Sequence, residues 1–222
     1  YAQRGWHVLP LHHITCGGEC SCGKECPSPA KHPWLKHGLK NATLDGATIQ
    51  AWWKKWPNAN IGIRTGSASG LVVLDIDPRH GGDESLHSLG VDTADLPTVQ
   101  TGGGGTHFYF AAPPEPITNR ANVRPGIDLR GENGYVVAPP SNHVSGGTYQ
   151  WIGDIPDVLP TVPEWVLALL QRPVTEMTRP NVSAAATTSQ DVQLELLRRG
   201  KDYVTRAAPV SAGGRNDAAF RL

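Results

Sequence analysis

The chain of 222 residues contains no apolar run of about 18 residues, the length that a bilayer-crossing helix needs. No transmembrane helix is expected. A charged leader followed by an apolar stretch is also missing, so no signal peptide is expected. The chain starts at Tyr1 without a methionine and stops within a patterned segment at Phe220-Arg221-Leu222, and it is read as a fragment of a longer protein. It has no excess of either charge, since 20 Lys and Arg balance 20 Asp and Glu, which argues against a simple basic nucleic-acid coat. No internal repeat is evident. No cysteine lies outside positions 16–26, where Cys16, Cys20, Cys22 and Cys26 cluster. A disulfide framework needs cysteines spread along the chain, so the cluster reads as a metal site in a reducing compartment.

The balanced charge is unevenly spread. Residues 1–74 carry eight basic and three acidic side chains, residues 75–172 five and twelve, and residues 173–222 seven and five. A basic first third beside an acidic middle is compatible with a phosphate-facing surface next to a metal centre, and equally with internal charge balance. The apolar pattern predicts strands at 5–10, 60–65, 71–77, 98–100, 107–111, 126–130, 134–138 and 148–152. It predicts helices at 48–56, near 83–89 and at 163–170. Gly102–Gly105 would join one pair of strands, and 126–130 with 134–138 reads as another pair. Residues 12–40, rich in Cys, Gly, Pro, His and Lys, form a long loop of the kind that is uncommon unless functional or cross-linked. Residues 173–190 read as a linker and 191–222 as the start of a truncated helical domain. Strands and helices mix without strict alternation, so the expected class is α+β.

Four groups of residues carry chemistry. Asp75-Ile76-Asp77 closes the apolar run Leu71-Val72-Val73-Leu74, and alternate residues of a strand share a face. Two carboxylates pointing the same way repel unless a cation sits between them. Hard carboxylate oxygens suit Mg²⁺ or Mn²⁺; the plainer reading is a strand ending in a polar turn. Cys20, Cys22, Cys26 and His32 supply three thiolates and one imidazole within 13 residues, the ligand set of a closed structural zinc site. Cys16 is a fifth candidate, His12 and His13 are weaker ones, and free thiols in a loop are the alternative. The run Gly102–Gly105 stands directly before His107, where the backbone can approach a phosphate closely and the imidazole can contact it or move a proton. A flexible hairpin is the alternative there. Asp128 and Arg130 share a strand face. Asp128 can join Asp75 and Asp77 around metals, and the Arg130 fork matches phosphate oxygens, unless the two form only a surface pair.

Taken together, residues 1–172 resemble the bifunctional primase–polymerase (prim-pol) family of the archaeo-eukaryotic primase superfamily. The resemblance is carried by Cys20-Ser-Cys22-Gly…Cys26-Pro-Ser-Pro-Ala-Lys-His32-Pro, Asn60-Ile-Gly-Ile-Arg-Thr-Gly66 and Leu74-Asp-Ile-Asp-Pro-Arg-His-Gly-Gly82. It continues in Gly102-Gly-Gly-Gly-Thr-His107, Gly126-Ile-Asp-Leu-Arg-Gly131 and Gly134-Tyr-Val-Val-Ala-Pro-Pro-Ser141. The family's knuckle often reads Pro-Gly-Lys-His-Pro, and Ala30 stands here at the glycine. The resemblance implies an RRM-like catalytic core at 1–172 with a zinc-binding element at 16–33. It implies that Asp75, Asp77 and Asp128 hold catalytic Mg²⁺ or Mn²⁺, that His107 contacts the nucleotide's phosphates, and that Arg130 assists. The implied activity is template-directed nucleotidyl transfer by a two-metal mechanism, making and extending primers on single-stranded DNA from NTP or dNTP. Many relatives carry a helicase domain in the same chain and belong to phages, plasmids or bacterial mobile elements, which implies a bacterial cytoplasm. Two other readings stand beside this one. A metal-dependent sugar-nucleotide transferase would leave the zinc loop and Asp128 unexplained. A non-catalytic zinc module that binds nucleic acid would leave the three carboxylates unexplained.

Overall fold

A computed structural model describes residues 1–171. The linker expected at 173–190 and the helical module expected at 191–222 lie outside the described residues. In chain order the elements are β1 (Val8–Leu11), α1 (Gly46–Lys55), β2 (Asn60–Arg64), β3 (Leu71–Ile76), α2 (Gly82–Ser88), β4 (Thr98–Gln100), β5 (Thr106–Ala111), β6 (Arg120–Arg124), β7 (Ile127–Arg130), β8 (Tyr135–Ala138), β9 (Gln150–Ile152) and α3 (Glu164–Leu170). The class is α+β with two antiparallel sheets, a small one ordered β1-β2-β8 and a large one ordered β6-β7-β3-β5-β4-β9. No described helix is long and apolar enough to cross a membrane.

The central strand β3 explains its own sequence. Leu71 and Val73 point to one face, where they join Val99 and Tyr109 of the large sheet and Leu9, Leu11, Ile63 and Val136 of the small one. Val72, Leu74 and Ile76 point to the other face, against Phe108, Phe110, Ile127 and Leu129, with Leu86 of α2 and Val166 and Leu169 of α3 packed on them. A strand buried on both sides reads as a continuous apolar run rather than an alternation. The large sheet is therefore sandwiched between the small sheet and two short helices. Asp75 falls on the Leu71–Val73 face, at the end of the strand, where that inter-sheet core gives way to a cavity.

Local chemistry sets the element ends. Asp45 caps α1 by accepting from the Thr48 amide at 2.8 Å, so the helix starts at Gly46, two residues before the expected start, and Pro57 follows its end. Pro163 precedes the first turn of α3, as expected of a proline there.

Two expectations are corrected. The segments 126–130 and 134–138 do not pair with each other: β7 stays in the large sheet beside β3, and β8 crosses to the small sheet beside β2. The turn between them is held by other segments, since Thr65 Oγ1 donates to the Gly131 carbonyl at 2.6 Å and the Glu132 amide donates to the Ile117 carbonyl at 2.7 Å. Strand β6 was not foreseen. Its Arg-Ala-Asn-Val-Arg sequence is largely exposed, Asn122 has a φ of 56°, and its register with β7 shifts, which are marks of an irregular edge strand without apolar alternation.

Gly126 joins this edge to β3. Its φ is +67°, its carbonyl accepts from the Asp77 amide at 2.7 Å, and a Cβ there would stand 2.6 Å from the Asp77 carbonyl oxygen. Gly70 has a φ of +59° but open space around it. Gly126→Ala should therefore cost about 2–4 kcal/mol, from left-handed strain plus overpacking, while Gly70→Ala costs about 1 kcal/mol from strain alone. Denaturant midpoints measure the difference, and equal shifts would show that the close approach at Gly126 contributes nothing.

Candidate active site and metal centre

Strand register assembles the site. Asp75 stands opposite His107 on β5 and opposite Asp128 on β7, so three neighbouring strands present His107, Asp75 and Asp128 in a row on one face. His107 Nε2 is 3.4 Å from Asp75 Oδ1. Arg130, opposite Val73 and two residues beyond Asp128, reaches back into the row. Its Nη2 lies 2.6 Å from Asp128 Oδ2 and 3.3 Å from Asp75 Oδ2, so one nitrogen bridges two carboxylates. The Asn122 amide donates to Asp128 Oδ1 at 2.6 Å. Asp77 follows β3 and caps the short 3-10 turn Pro78–His80. It accepts Arg79 Nε at 3.0 Å and Nη2 at 2.8 Å, and its Oδ2 is 2.9 Å from His80 Nδ1.

These contacts fix the charge states. Burial pushes the Asp75 carboxyl up, but the His107 imidazole and the Arg130 guanidinium outweigh it and hold it at about 2. The Arg79 side chain holds Asp77 well below the usual carboxylate range, against a smaller opposing effect of burial and with His80 adding to it. The repulsion expected between Asp75 and Asp77 is thus relieved by a separate cation for each, Arg130 and Arg79.

The row forms one wall of a cavity of about 830 Å³. Asp75, Asp77, His107, Asp128 and Arg130 all line it, so every residue expected at the catalytic centre meets there. The buried Tyr149 lies beside His107, with ring centroids 6.0 Å apart, and β8 contributes Tyr135 on the other side. The volume is within the range of small-molecule sites. As a donor set, three carboxylates lining one cavity suit hard divalent cations, provided that Arg79 and Arg130 yield their contacts.

The glycine run is not a loose hairpin. A Cβ at Gly105 would collide with the Ile76 carbonyl, and one at Gly102 with the His143 side chain. Ser145 Oγ donates to the Gly102 carbonyl at 2.5 Å, and Thr101 Oγ1 accepts from the Gly105 amide at 2.9 Å. The glycines let the loop lie against β3 and line the cavity with Gly103 and Gly105.

The metal-binding atoms of Cys20, Cys22, Cys26 and His32 lie within 4.8 Å of one another. A tetrahedron with Zn–S of about 2.3 Å and Zn–N of about 2.0–2.1 Å has an S···N edge of about 3.6 Å. Cys20 Sγ and His32 Nε2 are 3.5 Å apart, so the group fits zinc. Burial pushes the Cys20 thiol up, but the Ala30 and Cys22 amides and the His32 ring outweigh it and bring it to about 6, toward the thiolate that binds metal. Cys16 is exposed and lies outside the group, and the buried His12 and half-buried His13 also lie outside it. His12 instead stacks between His32 and Trp34, at 4.3 and 3.8 Å between ring centroids. Burial, with the neighbouring His32, lowers it to about 4. Ala30 takes a φ of 62°, a left-handed conformation that glycine adopts without strain, and its amide donates to Cys20 Sγ.

Sequence reasoning missed Lys31 and Arg79 as cavity residues, although Lys31 precedes His32 and Arg79 lies two residues after Asp77. Nothing in the spacing signals that the cysteine loop folds over the carboxylates. A family model for the N-terminal domain of bifunctional DNA primase/polymerases, Prim-Pol, matches residues 1–165. No curated protein matches the chain.

The purified protein should hold about one zinc per chain by elemental analysis, lost in Cys20→Ser and His32→Ala and kept in Cys16→Ser. Loss in Cys16→Ser with retention in Cys20→Ser would reverse the ligand assignment. Ala30→Gly should raise stability by about 0.5–1 kcal/mol at unchanged zinc content, because relief of left-handed strain exceeds the added chain entropy.

Proposed function

The chain belongs to the bifunctional DNA primase/polymerase N-terminal family, and on that premise we propose that it makes and extends primers on single-stranded DNA by template-directed nucleotidyl transfer. The observation that carries this reading is the row of His107, Asp75 and Asp128 on the wall of one cavity, with Asp77 and Arg130 beside it. The fold supports it. Strands β7-β3-β5-β4 form an antiparallel run whose chain order across the sheet is 4-1-3-2, with α2 between the first and second, the arrangement of an RRM-like sheet. The second helix of that arrangement is not found between β5 and β7; α3 from farther along the chain covers the same face.

The proposed chemistry is attack of a primer 3′-hydroxyl on the α-phosphate of a nucleoside triphosphate, with pyrophosphate leaving. Asp75, Asp77 and Asp128 would hold Mg²⁺ or Mn²⁺, which when bound supplies Lewis-acid charge to the attacking and leaving oxygens. The side chains do the rest by positioning and electrostatics. Asp75 holds the His107 ring by its contact at Nε2, and because His107 lines the cavity a bound phosphate oxygen would compete with Asp75 for that one N–H. Arg130 uses one nitrogen for both carboxylates, so Nε and Nη1 remain for phosphate. Zinc held by Cys20, Cys22, Cys26 and His32 would order a loop with little apolar content of its own. The same reading gives residues 1–172 the polymerase core, puts a helicase domain in the full-length chain, and places the protein in the bacterial cytoplasm, in phage or plasmid replication. The sugar-nucleotide transferase and the non-catalytic zinc module find no comparable support, since neither accounts for both the carboxylate row and the family match.

De novo synthesis on single-stranded DNA tests the proposal, with NTP or dNTP and with Mg²⁺ or Mn²⁺. Labelled product should appear with wild type and fall to background in Asp75→Asn and Asp128→Asn at unchanged melting temperature. His107→Ala should lose at least about tenfold in nucleotide kcat/KM, the size expected for a charge-assisted phosphate contact. Near-normal incorporation by either Asp variant would sink the assignment.

A further inference from the structure

Lys31 enters the cavity from a part of the chain that the carboxylate row does not use. It sits between Ala30, which is 1% exposed, and His32 of the Cys/His group. Its backbone is pinned from several directions. Tyr135 Oη donates to the Lys31 carbonyl at 2.8 Å, and the Lys31 amide donates to the Ser28 carbonyl at 3.2 Å. Asn60 Nδ2 donates to the Ala30 carbonyl at 3.0 Å, and the His12 amide donates to the His32 carbonyl at 2.9 Å. Residues 30–32 are therefore fastened to the small sheet on one side and to the Cys/His group on the other.

The side chain is half-buried and lines the cavity with Asp75, Asp77, Arg79 and Arg130, all within electrostatic reach of its ammonium. The guanidinium groups there are matched: Arg79 pairs with Asp77, which also contacts His80, and Arg130 pairs with Asp75 and Asp128. Lys31 has no carboxylate partner among the described residues. A cation fixed at its backbone, lining a shared cavity and not paired with a carboxylate is suited to an anionic ligand.

We infer that Lys31 binds the phosphates of the incoming nucleoside triphosphate, and that the Cys/His loop is the arm that places it, so that zinc in the loop sets nucleotide affinity. This rests on the proposed nucleotidyl transfer and adds to it a binding residue and a function for the loop. The backbone phosphates of the DNA template share the same chemistry and are the alternative source. The triphosphate is favoured because Lys31 shares its cavity with the residues assigned to it, Arg130 and the carboxylates.

The test measures equilibrium binding of a fluorescent, non-hydrolysable nucleoside triphosphate and, separately, of a labelled single-stranded oligonucleotide to the full chain. Lys31→Met, Lys31→Arg and wild type are compared, each with and without zinc removal by chelation. Zinc content and melting temperature are recorded for each. Lys31→Met should weaken triphosphate binding about tenfold, as expected for one lost charge-assisted contact, with zinc content, melting temperature and oligonucleotide affinity unchanged. Lys31→Arg should restore most of it. Chelation should weaken wild type about as much as Lys31→Met does, and should add little in that variant. Unchanged triphosphate affinity in Lys31→Met overturns the inference, and so does a loss confined to the oligonucleotide, which would put Lys31 on the template path. If wild type binds no triphosphate, the nucleotidyl-transfer reading fails and the inference falls with it. Binding by wild type with equal binding by Lys31→Met removes only the inference.

Discussion

The half-buried carboxylate of Asp75 is the constraint on which the site depends. It ends a strand whose other residues are almost wholly apolar, and a charge in that position must be compensated where it stands. The compensation comes from both neighbouring strands, His107 on β5 and Arg130 on β7, and their effect exceeds the desolvation that opposes it. Arg130 then brings in Asp128, because the same nitrogen serves both carboxylates. Register is what makes this possible. A slip of one residue on either flanking strand would turn its functional side chain toward α2 and α3, and the apolar residues on that opposite face oppose such a slip.

Close backbone approach is the second requirement. Gly105 lets the loop before β5 lie against the end of β3, and Gly126 lets the turn before β7 hydrogen-bond Asp77. Both flanking strands therefore enter at the same end of β3, beside the same two aspartates. The small sheet closes the other side of the cavity through Tyr135, whose hydroxyl also fixes the Lys31 carbonyl. The Cys/His loop and the carboxylate row, far apart in character, are thus joined through one tyrosine and one lysine.

Much of this was legible in the sequence. The apolar run of β3, the alternation that puts Asp128 and Arg130 on one face, and the Cys/His spacing each have a short-range physical signature. The residues expected to form the metal centre do line one cavity. What could not be read depends on partners distant in sequence. The strands 126–130 and 134–138 looked like a hairpin because they are adjacent, and the turn between them is anchored instead by distant residues that include Thr65 and Ile117. Strand β6 has no apolar alternation to reveal it. The pairing of Asp77 with Arg79 was hidden because Asp77 read as a metal ligand, with a polar turn only as the alternative, and Lys31 because its segment read as a zinc knuckle.

The proposed divalent-cation site of Asp75 and Asp128, formed once Arg130 yields, can be tested without any turnover. Mn²⁺ titrated into the zinc-loaded protein, with free Mn²⁺ followed by electron paramagnetic resonance, measures the site directly. Saturable Mn²⁺ binding is expected of wild type and its loss in both Asp75→Asn and Asp128→Asn, with zinc content unchanged in each. Equal Mn²⁺ binding by wild type and both variants would contradict it.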